Sequence, residues 1–169
     1  MMDPTTRALE RLADTLWAQR HLVELLLYRL TVAKLVLAAD ERRFVALAVG
    51  EVDDAVDKLR DAELKREVAI GELADQWGLR SEDLTLSEVA ERAPEPYQAV
   101  FADHRDGFQA LTEEIEATAS ENRRLAPAGL RSVQHALDVL TSDTTGTYTA
   151  AGTTEWPRTT SPTRLDQTL

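Results

Sequence analysis

From about residue 5 to residue 140 the apolar positions recur at helical spacing, and after Thr141 they do not. The seven-residue series Leu9, Leu16, Val23, Leu30, Leu37 is wholly apolar, and the offset series Leu12, Gln19, Leu26, Ala33 is mostly so. Together they form the a/d seam of a heptad helix, predicted over residues 5–38. Asp3-Pro4 supplies its start signal, a capping side chain followed by a proline that the first helical turn tolerates. Leu22, Leu25, Leu27, Val32, Leu35 and Val36 lie off this seam. An apolar face this wide needs two neighbours rather than one. The first helix is therefore expected at the centre of a bundle, or offering a face to a partner.

Asp40-Glu41-Arg42-Arg43 is a polar break and a tight corner. A second long helix is predicted over residues 43–77. Its two seams are Val45, Val52, Leu59, Arg66, Leu73 and Val49, Val56, Glu63, Ile70, Trp77. Both are apolar at their ends and charged in the middle. Glu63 and Arg66, three residues apart, can pair along the seam, where such a pair serves more often as a register device than as an active site. Gly78 has the position of a helix C-cap. Thr85-Leu-Ser-Glu88 matches the capping box, so a short helix is predicted over residues 86–92. Ala93-Pro-Glu-Pro96 ends it, and residues 79–96 form a connector.

The third long helix starts near Pro96. Its seam reads Tyr97, Phe101, His104, Phe108, Leu111, Ile115 and Leu125, with Thr118 and Asn122 completing the spacing. Gly107 lowers local helix propensity without forbidding the helix. Pro127 kinks it or starts a new one, and one long, kinked helix is the favoured reading. Leu130, Val133, Leu137 and Leu140 continue the helical spacing. No strand pattern of weight is present. The expected organisation is all-α: long antiparallel helices in a coiled-coil-like bundle over residues 1–140, and a disordered, threonine-rich tail over residues 141–169.

Composition narrows the function. The chain is 43% hydrophobic and 5% aromatic, enough for a core built from aliphatic helices. Its net charge of −11 argues against nucleic acid, whose phosphates need clustered Lys and Arg. It also disfavours an anionic membrane surface. The absence of cysteine removes disulfides, thiol catalysis and Cys-based zinc sites. MMDPTTRALERL lacks the basic and apolar regions of a signal peptide. Residues 22–39, the most apolar stretch, carry Glu24, Arg29 and Lys34, so no membrane insertion is expected. His21, His104 and His135 lack the Glu-x-x-His spacing of di-iron bundles. No phosphate loop, nucleophile elbow or His-Glu-x-x-His motif is present. Neither an enzyme nor a cofactor is expected.

The apolar stripes carry more. A heptad stripe is intramolecular core in most proteins. The surplus on the first helix, and Leu130, Val133, Leu137 and Leu140 beside a polar tail, point instead towards helix-in-groove recognition. Within the tail, Tyr148 and Trp156 are isolated aromatics of the kind that anchor short linear motifs.

Four features in order carry a family resemblance. They are LVELLLYRLTVAKLVLAA; EVDDAVDKLRDAELKREVAIGELADQWGL, closing at Trp77-Gly78-Leu79; TLSEVAERAPEPY; and Glu121-Asn122-Arg123-Arg124-Leu125, followed by the last stripe and Tyr148-x-x-x-Gly152. The chain resembles the FlgN family of flagellar export chaperones over roughly residues 8–152. Ala126-Pro127 departs from the pattern, which often has a second leucine there.

The resemblance implies a non-enzymatic, cytoplasmic, all-helical protein that holds hook-associated (hook–filament junction) proteins before type III export. It implies that helical grooves capture the clients' C-terminal segments, and that a tail tyrosine docks on the export gate. By position, Leu130, Val133, Leu137 and Leu140 would bind the client and Tyr148 the gate. The residues leave open whether the last stripe is free or folded back onto the first helix. The alternative is a scaffolding coiled coil that homodimerises through the first helix. A third class, an enzyme or metal-binding bundle, would show itself by bound metal.

Overall fold

The computed structural model describes residues 3–125. Within them lie α1 (Pro4–Ala38), α2 (Arg42–Trp77), a 3-10 turn (Ser81–Asp83), α3 (Leu86–Arg92) and α4 (Tyr97–Leu125), with no strand among the described residues. The helix limits follow the expected ones to within a residue or two. The boundary expected at residue 140, the continuation past Pro127 and the tail lie outside the described residues.

α1 is the central element. It packs along both α2 and α4, while the backbones of α2 and α4 do not approach each other closely. Cross-links between helices give the directions. Arg11 pairs with Glu72 at 2.5 Å and Arg29 with Glu51 at 2.7 Å, so α2 runs antiparallel to α1. Tyr97 meets Glu10, Arg20 meets Asp103 at 2.8 Å, and Lys34 meets Glu121 at 2.9 Å, so α4 runs parallel to α1. The bundle is up-down-up, and residues 78–96 cross the end where α1 begins.

Every position of the two expected α1 series up to Ala33 is buried. Such a seam removes apolar surface worth about 25 cal/mol per Å² from water. On α2 the expected positions from Val52 to Leu73 are buried, apart from the half-buried Ile70, and a further series, Ala48, Ala55, Ala62, Ala69, is buried with them. Small side chains every seven residues let neighbouring helices close in.

Both long-helix ends close in the same way. The Leu79 N–H reaches the Ala74 carbonyl at 3.0 Å, with Gly78 left-handed at φ 66°. The Glu41 N–H reaches the Val36 carbonyl at 3.2 Å, with Asp40 left-handed at φ 52°. These are Schellman closures, which satisfy otherwise orphaned carbonyls. At α3, the Glu88 N–H donates to Thr85 Oγ1 at 3.2 Å, as the capping box predicts. The Glu88 carboxylate turns to Arg92 at 2.7 Å. α3 packs against α4, and Leu84, Leu86, Val89, Ala90 and Ala93 are buried with the core.

α4 corrects the expected seam. Phe101, His104, Phe108, Ile115 and Asn122 are buried as read, but Thr112 and Ala119 take the places expected for Leu111 and Thr118. Leu111 and Thr118 are half-buried, and Leu125 is exposed. The spacing 101, 104, 108, 112 contains an extra four-residue step. A straight helix drifts about 20° per heptad, and this step brings its apolar face back over α1.

Candidate protein-binding face

Two polar groupings interrupt the core. In the first, Gln19 Nε2 donates to Glu63 Oε2 at 2.8 Å, and Arg66 Nη2 donates to Glu63 Oε1. All three residues are buried. The pairing expected between Glu63 and Arg66 is present, and Gln19, the polar member of the α1 seam, completes it. One register of α1 against α2 satisfies this carboxylate; a slip of one turn would strand it in apolar surroundings, which is costly.

The second grouping lies between α1 and α4. His104 is fully buried, with its ring edge-on to Trp17 at 4.7 Å between centroids and beside Phe108 at 6.3 Å. Neither ring nitrogen has a hydrogen-bond partner. Burial lowers its pKa from the ordinary histidine value; Arg20 pushes the same way, and Asp103 opposes. His104 is therefore a neutral core residue near neutral pH. The Arg20 guanidinium lies across Gly107, where a Cβ would meet it at 2.5 Å, and also sits over the Trp17 ring at 5.6 Å. Gly107 thus leaves room for a cation on the helix surface, a role that propensity alone does not suggest.

His21 is exposed beside Glu24 at 4.0 Å, and His135 lies outside the described residues. No group of three or more His, Cys, Asp or Glu side chains among the described residues could hold a metal ion. No described helix is long and apolar enough to cross a membrane.

Several large apolar side chains are exposed on the described surface. Trp17, Tyr28 and Leu35 of α1 are 55%, 58% and 62% exposed. At 100° per residue, Leu25, Tyr28, Val32 and Leu35 fall within about 80° of the helix circumference, on the side away from the buried seam. Leu25 and Val32 are half-buried. The extra apolar residues singled out from the sequence therefore divide. Leu22, Leu27 and Val36 pack against the core, whereas Leu25, Val32 and Leu35 belong to this second stripe. Tyr28 and Trp17 were not singled out, although Tyr28 stands three residues after Leu25 and four before Val32. α2 adds Leu64 and Val68, one turn apart on its outer side, and Phe44 and Leu47 near its start. The expected client residues Leu130, Val133, Leu137 and Leu140, and the expected gate residue Tyr148, lie outside the described residues.

Among the described residues the chain is an all-helical bundle with a buried core and an outer apolar stripe on α1. The family model described as FlgN protein matches residues 1–155, and the chain belongs to the FlgN family. This is a family of flagellar export chaperones, which bind flagellar proteins. No curated protein and no solved structure matches the chain.

Proposed function

We propose that this chain is a cytoplasmic chaperone of flagellar type III secretion that holds hook-associated proteins before export. The family match over residues 1–155 carries this reading, because it takes in the bundle, the last apolar stripe and Tyr148 together. Leu130, Val133, Leu137 and Leu140 grip the amphipathic C-terminal helical segment of the client, and Tyr148 docks on the export gate. The net charge of −11 keeps such a holder soluble while it carries apolar surface. Delivery requires release, and the cost of ordering a segment on binding keeps affinity moderate.

The direct test is a pull-down and titration of the full chain against the C-terminal segment of a hook-associated protein. Binding at about micromolar Kd is expected; no binding there would refute the client. Val133→Ser combined with Leu137→Ser should weaken it at least about tenfold, the equivalent of about 1.4 kcal/mol. Tyr148→Ala should weaken gate docking while client binding persists; loss of both, or of neither, would refute that division.

The exposed Trp17, Tyr28 and Leu35 favour a second reading, a scaffold that homodimerises through α1. A tight dimer indifferent to clients in sedimentation analysis would support it.

A further inference from the structure

α1 packs along α2 and α4, and the residues of its outer stripe, Leu25, Tyr28, Val32 and Leu35, are not among the described side chains packed in or against the core. They are spaced three, four and three residues apart. Leu130, Val133, Leu137 and Leu140 have the same three-four-three spacing. We propose that residues 130–140 of the same chain dock on this stripe in the client-free protein, as a helix antiparallel to α1.

The position of Leu125 favours this occupant. α4 ends beside the last turns of α1, with Asn122 Nδ2 donating to the Leu30 carbonyl at 2.9 Å and Glu121 pairing with Lys34 at 2.9 Å. Leu125 is 48% exposed there. Four residues, Ala126-Pro127-Ala128-Gly129, separate it from Leu130. Extended, the five Cα steps from Leu125 to Leu130 reach at most about 18 Å. Pro127 and Gly129 are residue types that end helices and suit a reversal, so the proposal departs from the single kinked helix favoured from the sequence. So short a link lets Leu130 meet α1 only near Leu35, and the segment then descends towards Leu25. Both stripes cover about 15 Å at 1.5 Å per residue. Leu130 then lies level with Leu35, Val133 with Val32, Leu137 with Tyr28 and Leu140 with Leu25.

A short tether also decides between this segment and a second copy of the stripe. It holds its own ligand at an effective concentration in the mM range, far above that of another chain in dilute solution. The docking does not depend on the proposed function. Its consequence, that a client must displace residues 130–140 or engage them after release, does rest on that reading.

The chain has no cysteine, so introduced pairs report cleanly. In the full chain, without client, Tyr28→Cys combined with Leu137→Cys should oxidise to an intrachain disulfide at least about tenfold faster than Leu64→Cys combined with Leu137→Cys, whose first position is equally exposed on α2. Equal rates, or concentration-dependent bridges between chains, would overturn the proposal. Because these substitutions thin the stripe, amide exchange on the unsubstituted chain gives an independent reading. Residues 131–140 should exchange at least about tenfold more slowly than in the free peptide, and Leu35→Ser should abolish most of that protection. Peptide-like exchange in the unsubstituted chain would overturn it. Neither measurement involves a client, so a failed pull-down leaves the docking standing, and the reverse.

Discussion

Leu26 and Leu35 share one helix and one side-chain type, yet Leu26 is fully buried and Leu35 is 62% exposed. The same holds for the stripes to which they belong. The inner seam, Leu9 to Ala33, is closed by α2 and α4, whereas the outer stripe, Leu25 to Leu35, does not pack against the described core. Hydrophobic periodicity says that a face wants a partner, but not whether the partner belongs to the same fold. On the inner side the register is further specified by a buried polar group, the Gln19–Glu63–Arg66 knot. On the outer side no such device appears among the described contacts. On the docking proposed above, a face that accepts and releases a helix is better served by apolar contact without a buried charge pair.

The largest expected effect lies where the inner seam is charged. Glu63→Ala removes the carboxylate facing Gln19 and Arg66, and should cost about 3–5 kcal/mol in urea unfolding. Replacing Gln19, Glu63 and Arg66 together by Leu, Leu and Met should return most of that loss. A triple variant no more stable than Glu63→Ala would show that the fold itself needs the knot. Next comes the direct contrast: Leu26→Ala should cost about 2–5 kcal/mol, and Leu35→Ala less than about 1 kcal/mol. Equal losses would erase the distinction between the two faces.

The third test uses His104, on the inner face of α4. Its folded pKa lies below the ordinary value of about 6.5. The unfolded chain therefore binds the proton more readily as pH falls. Stability is fully present above about pH 6.5 and is lost as pH falls towards the lowered folded value, by at most about 1.4 kcal/mol per pH unit. Urea midpoints between pH 7.5 and 5 should show this decline, and His104→Phe should flatten it. An unchanged decline in that variant would place its origin elsewhere.

The smallest effect marks the rim between the faces. Gly107→Ala gains helix propensity but must displace Arg20, so it should change stability by less than about 0.5 kcal/mol alone. In an Arg20→Ala background it should gain about 0.5–1 kcal/mol. Additive behaviour would mean that Arg20 does not rest on Gly107.

Much of the bundle was legible from local signals. Pro4, Gly78 and Thr85 mark helix ends through backbone requirements that act within one turn, and the α1 seam is buried from Leu9 to Ala33, with Gln19 its polar member and Leu37 half-buried. The α4 register was less legible, because Thr112 and Ala119 are small and compete with the larger Leu111 for the same reading. Helix drift, invisible in a heptad count, decided it. Gly107 under Arg20, and Trp17 against His104, depend on which helices become neighbours, and no local pattern encodes that. Of the candidate binding face, Leu25, Val32 and Leu35 were visible as surplus. Tyr28 escaped because its polar tip suits solvent as readily as contact.

Because α4 runs parallel to α1, the described chain starts and finishes at opposite poles of the bundle. Asp3 and Leu125 are separated by roughly the length of α1, about 50 Å for its 35 residues. The described bundle thus has two distant ends. A reporter or affinity tag placed ahead of Asp3 sits far from Leu125, whereas one fused at Leu169 rides on the stretch that carries Leu130, Leu140 and Tyr148. Under the proposed function, binding assays immobilised ahead of Asp3 leave Leu130, Leu140 and Tyr148 at the free end, and readings taken through a fusion at Leu169 should differ.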